Sequence, residues 1–186
     1  VSGAGLVVVA AALLVAVWAI ATVNRFVRLR QHLRESWADI DVELKRRYDL
    51  IPNLVETVRG YATHERDVLD RVIELRGRAL ASQGAPTSQA GDETRLLMGM
   101  KRLFAVAEAY PDLKADQHFR DLQRQLALTE DRIAASRRFY NGNVRTLEVL
   151  RQSFPTSLIG SLMGVSEGSY FELSDQAERV VPRVGL

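Results

Sequence analysis

Eighteen consecutive residues without a charge, LVVVAAALLVAVWAIATV from Leu6 to Val23, constrain this chain more than anything after them. Wound as an α-helix the run is about 27 Å long, close to the hydrocarbon core of a bilayer. Trp18, near its end, suits a membrane interface. A cleaved signal peptide is the competing reading, because Ala19-Ile20-Ala21 resembles a small-x-small cleavage site. Two features oppose it: no basic residue stands ahead of the run in this sequence, and Arg25, Arg28, Arg30 and Arg34 follow directly. Arginines there resist translocation and keep the chain after them in the cytoplasm. The expectation is one uncleaved transmembrane helix, its first residues outside and the rest of the chain cytoplasmic.

Composition narrows the function classes. The chain has no cysteine, so disulfides, thiolate catalysis and cysteine metal sites are excluded. Its 25 basic and 23 acidic residues leave a net charge of +2 and are interleaved, as on solvated helix faces. No phosphate-binding stripe forms, and no nucleic-acid partner is expected.

Beyond the anchor the apolar period is helical. Residues 33, 37, 40, 44, 48, 51, 55, 58 and 62 form one stripe of three- and four-residue steps, and Leu69, Val72, Ile73 and Leu75 carry it to about Ala81. Ser82 to Asp92, SQGAPTSQAGD, reads as a loop, with Asp92 as N-cap of a second helix bearing Leu96, Met100, Leu103 and Ala107 on one face. Tyr110-Pro111 ends that helix. Asp116 caps a third, whose stripe runs from Phe119 through Leu126, Ile133, Tyr140 and Leu147 to Arg151 before Phe154-Pro155 stops it. Leu158 to Val165 suits a short helix. The fold expected is all-α: an N-terminal transmembrane helix, then an up-and-down bundle of three to four long helices. The divisions are 1–24 for the tail and span, 25–165 for the bundle, and 166–186 for a loosely held tail.

Pro52 interrupts the first stripe without changing its phase. A proline inside a helix removes a backbone bond and costs about 3 kcal/mol or more. Either the helix bends there and continues towards Ala81, or the chain reverses at Pro52 and makes four unequal helices. The unbroken stripe favours a kinked helix. Asp49, Pro52, Asn53 and Glu56 are therefore singled out, either as a docking patch around the kink or as groups that satisfy backbone atoms freed by Pro52. The carbonyl of Tyr48 is the principal one, and the structural role is favoured.

Three stretches, RRYDLIPNLVETVRGYATHE, YPDLKADQHFRDLQRQLALTEDRIAASRRFYNGNV and FPTSLIG, resemble the bacterial LemA family in order and spacing, from Trp37 to about Glu172. The resemblance implies an N-terminal anchor followed by an up-and-down helical bundle, and it implies no enzyme activity; the location expected for the chain is a bacterial inner membrane. Family members often carry a second Tyr-Asn pair after the one matched by Tyr140-Asn141, where this chain has Leu147-Glu148.

The residues themselves hold no familiar catalytic grouping. His32, His64 and His118 lie far apart in sequence, and His64-Glu65 lacks the second histidine of a zinc-protease helix. There is no di-iron Glu-x-x-His pair, hydrolase elbow or phosphate loop. No cofactor, metal or small-molecule substrate is expected. Two functions remain: a non-enzymatic docking or scaffold module for protein partners, or a lipid-surface protein in which Arg25, Arg28, Arg30, Arg34 and the apolar segment 155–165 engage the bilayer.

Overall fold

The computed structural model describes residues 3–82 and 86–173. Six α-helices and no strand occur among them: α1 (Gly3–Tyr61), α2 (Arg66–Ala81), α3 (Pro86–Ala107), α4 (Pro111–Ala115), α5 (Gln117–Gln152) and α6 (Thr156–Leu162). The helical stripes of the sequence are the buried rows of the structure. Ile40, Leu44, Tyr48, Ile51, Val55, Val58 and Ala62 are all buried, as are Phe119, Leu122, Leu126, Thr129 and Ile133 on α5. Leu33, Trp37 and Arg151 are half-buried, and Ile73 faces outward at 37% exposure.

Helix α1 runs through Pro52 without interruption but does not reach Ala81. It stops at Tyr61, and residues 62–65 turn the chain so that α2 returns beside it. Two ties fix that antiparallel return: Arg59 meets Asp70 at 3.7 Å near the turn, and Arg76 reaches Tyr48 two to three turns further along. The apolar period hides the break because α2 re-enters the same core in phase. The loop expected over Ser82–Asp92 is also shorter than the composition suggested. Helix α3 begins at Pro86, Gln89 and Ala90 are already buried, and Asp92 lies inside the helix instead of capping it. Proline suits the first helical turn, where its missing N–H costs nothing. Asp116 does cap α5, accepting the Phe119 N–H at 2.8 Å. That bond holds its carboxyl below the usual aspartate range.

The chain forms two compact units, Val1–Ser36 with Phe139–Gly168, and Trp37–Arg138 with Ser169–Leu186. In the first, Phe26, Leu147, Leu150 and Val165 make a small core, joined by Leu29, Leu33, Ile159 and Met163. Asn143 donates to Ser36 Oγ at 3.2 Å. Helix α6 ends in a left-handed turn at Gly164, φ 59°, which lets the Val165 N–H reach back to Gly160 O at 3.0 Å. Leu147 is core. Glu148 accepts from Arg151, Gln152 and the Gly168 N–H (2.8 Å), and these donors hold its carboxyl below the usual range, the Arg151 bond most of all.

In the second unit Phe171 is fully buried and meets Trp37 edge-on, ring centroids 5.3 Å apart. The loose tail expected over 166–186 lies, from residue 174 onward, outside the described residues.

Candidate functional site

One row of α1 carries the chemistry of the second unit. Ile40, Leu44, Ile51, Leu54 and Val58 point into the core, and Arg47 stands in the same row, three residues after Leu44 and four before Ile51. It is 0% exposed. On α3, Glu93 precedes Leu96 and Leu97 by three and four residues and is equally buried. On α5, Glu130 is placed the same way between Leu126 and Ile133. Helical spacing alone therefore drives three charges towards one point.

There they pair. Arg47 Nη1 donates to both oxygens of Glu130 at 3.0 Å each, and Nη2 donates to Glu93. The Tyr48 hydroxyl donates to the other Glu93 oxygen. Burial alone would lower the Arg47 pKa, but Glu130 and Glu93 raise it above the ordinary arginine value, so the guanidinium stays charged. Burial raises the Glu93 carboxyl, and Arg47 and Tyr48 only partly draw it back down. Burial, then the neighbouring Glu93 carboxylate, raises the Tyr48 hydroxyl, which stays protonated as a donor. Arg47 Nε is buried with no hydrogen-bond partner among the described residues. The cluster's donors and acceptors are turned on one another, joining α1, α3 and α5.

Helix α2 enters through the backbone. Pro52 has no N–H for Tyr48 O, and Arg76 Nε donates to that carbonyl at 2.6 Å from the neighbouring helix. Asp49, Asn53 and Glu56 are exposed on the outer side of α1, and Pro52 is half-buried. They do not meet the freed carbonyl, which accepts from Arg76 instead. That cation sits 28 residues away in sequence, beyond any local reading.

Beside the cluster lies an open cleft of about 500 Å³, with Tyr48 and Gln89 in its wall. Trp37, Val42 and Leu80 give it apolar surface, and Asp41 and Lys45 supply both charge signs. Among the described residues no three His, Cys, Asp or Glu side chains gather as a metal site. The basic residues after the apolar run lie in the first unit. Arg25, Arg28 and Arg34 are exposed, while Arg30 is half-buried and donates to Gly164 O at 3.4 Å.

These features define an all-helical protein with one helix, among the described residues, long and apolar enough to cross a membrane; its apolar stretch has a mean hydropathy of 2.8 and is almost wholly unburied. The model of the LemA family matches residues 36–185, and the chain belongs to that family. It is similar to the magnetosome protein MamQ of Magnetospirillum gryphiswaldense, 23% identical over 173 residues, covering 80% of this chain and 64% of that protein. The magnetosome protein MamQ 2 of Paramagnetospirillum magneticum is likewise 23% identical, with the same coverage. Protein LemA of Metamycoplasma hominis is 22% identical over 157 residues, covering 84% of this chain and 71% of that one. The chain thus spans a little under two thirds of the MamQ relatives' length.

Proposed function

We propose that this is a non-enzymatic, single-pass membrane protein whose helical bundle docks a protein partner in the bacterial cell envelope. Leu6–Val23 is the span, the first residues lie outside, and the bundle lies on the cytoplasmic side of the inner membrane. Residues 25–165 act as the bundle of three to four long helices, and α1 bends near Pro52. Asp49, Asn53 and Glu56 remain available to a partner because they face solvent on α1.

The observation that carries the docking role is the contrast inside the second unit. Its inward-facing charges, Arg47, Glu93 and Glu130, are paired with one another among the described residues. The adjacent cleft presents apolar walls between an aspartate and a lysine, which suits a short protein segment. Photocrosslinkers placed at Val42 and Leu80 in living cells should give one and the same discrete protein adduct, absent when the crosslinker sits at exposed Arg102. Adducts that differ between the two cleft positions, or turnover of a substrate by the purified protein, contradict the reading.

A further inference from the structure

The elbow between α5 and α6 has a position that its neighbours fix. In the first unit α5 runs antiparallel to α1. Asn143 reaches Ser36, Leu147 and Leu150 pack on Phe26, and Phe154 lines a small cavity together with Arg25. Arg25 lies two residues past Val23, about 3 Å along the helix axis. Helix α5 therefore ends at the level where the apolar run ends. Packing even reaches into the run: Thr22 is 6% exposed, whereas Leu14 stands at 72%.

Helix α6 then folds back over the same stretch. A methyl group added at Gly160 would stand only 3.1 Å from the Phe26 ring, so α6 lies directly on the residue that follows the run. Ile159, Met163 and Val165 complete that inner face. The elbow and the outer side of α6 are apolar as well: Phe154, before the helix, is 83% exposed, and Leu158 and Leu162 on it are 58% and 84% exposed. Single exposed apolar side chains are ordinary. Leu158 and Leu162, four residues apart on α6, and Phe154 at the elbow, held beside the end of an apolar helix with exposed Arg25 and Arg145 lining the same cavity as Phe154, are not a random scatter.

We propose that Phe154, Leu158 and Leu162 insert into the boundary between headgroups and acyl chains of the leaflet in which the Leu6–Val23 helix ends. The interfacial layer on each side of the hydrocarbon is about 5–8 Å thick, and interfacial helices bury their apolar side about 5–10 Å deep. Phe154, about 3 Å beyond the run, falls within that depth. The protein then holds the bilayer twice, by a span and by an elbow braced against it, with the arginines at headgroup level. This rests on the reading of Leu6–Val23 as a membrane span and not on the docking role.

The cysteine-free chain allows a clean test. Single cysteines at Leu158, Leu162, Leu14 in the span and Phe139 are each labelled with the environment-sensitive dye NBD, in the full protein reconstituted into phosphatidylcholine–phosphatidylglycerol vesicles. Phe139 is the outside reference, since it is 61% exposed and lies fifteen residues before Phe154 in the same unit. The expected result is blue-shifted emission from Leu158→Cys and Leu162→Cys, lost to lipids with a doxyl group on the acyl chain as it is from Leu14→Cys. Phe139→Cys is instead quenched by aqueous iodide. Probes at 158 and 162 that behave like the one at 139, while the one at 14 is quenched by lipid, overturn the proposal. Probes shielded from both quenchers also overturn it and indicate a second copy covering the face. Failure of the Leu14 probe removes the span and the elbow together.

Discussion

Arg47 is the residue on which the second unit turns. Its charge is buried and answered by two carboxylates, so removing it strands both. Arg47→Met should destabilise the detergent-solubilised protein by about 3–5 kcal/mol, measured by urea unfolding, because an uncompensated buried carboxylate is costly. Arg47→Met combined with Glu93→Met should cost less than the two single changes added together, since the pair leaves as a unit. Simple additivity would show that the two do not act as a pair. Glu93 also sets a pH dependence. Its folded pKa lies above the unfolded value, so its contribution is complete below the unfolded pKa and is lost as pH rises through the raised one. The stability advantage of the wild type over Glu93→Gln should therefore shrink as the pH is raised from about 4 towards neutrality. A gap that widens would contradict the raised pKa. These charges were legible in part. Arg47 and Glu93 sit at core spacing from their leucines, but Lys45-Arg46-Arg47 reads at first sight as a solvated basic run. Glu93 was masked by the polar composition of residues 82–92.

At the scale of elements, the stripe through Tyr48, Ile51, Val55 and Val58 correctly marked α1 as continuous across Pro52. The same stripe misled about where α1 ends. Phase is preserved whenever the next helix returns to the same core, so Ala62 and Leu69 look continuous across a turn. The weak helix formers Gly60, Thr63 and His64 hint at it. The return of α2 then explains how α1 tolerates its proline, through the Arg76 bond to Tyr48 O. Arg76→Met should cost on the order of 1–2 kcal/mol, because it strands a carbonyl with no intrahelical donor. In a Pro52→Ala background the helix regains its own N–H for that carbonyl, and Arg76→Met should cost distinctly less. Equal costs in both backgrounds would mean that the Arg76 bond does not serve the proline gap. Gly160 offers a second element-scale check in the first unit. Gly160→Leu, which needs room where Phe26 already stands, should lower the melting temperature, while Gly142→Leu, with nothing near its added Cβ, should leave it almost unchanged.

For the whole molecule, periodicity and composition were enough for the all-helical class and for the apolar helix, and the quoted stretches were enough for the family. The polar cluster was not legible, because it joins residues 47, 76, 93 and 130 through packing that no short window contains. The division into two units was equally hidden, since α1 and α5 each carry an unbroken period from one unit into the other. Insertion of the elbow depends on an uncleaved Leu6–Val23 span, and docking at the cleft as proposed depends also on everything after it lying on the cytoplasmic side. Protease treatment of spheroplasts carrying a C-terminally tagged full chain tests that topology most directly. The tag should survive at full-length mass in intact spheroplasts and disappear once they are lysed. Digestion of the tag in intact spheroplasts, or a mature protein shortened by the length of the span, would contradict it.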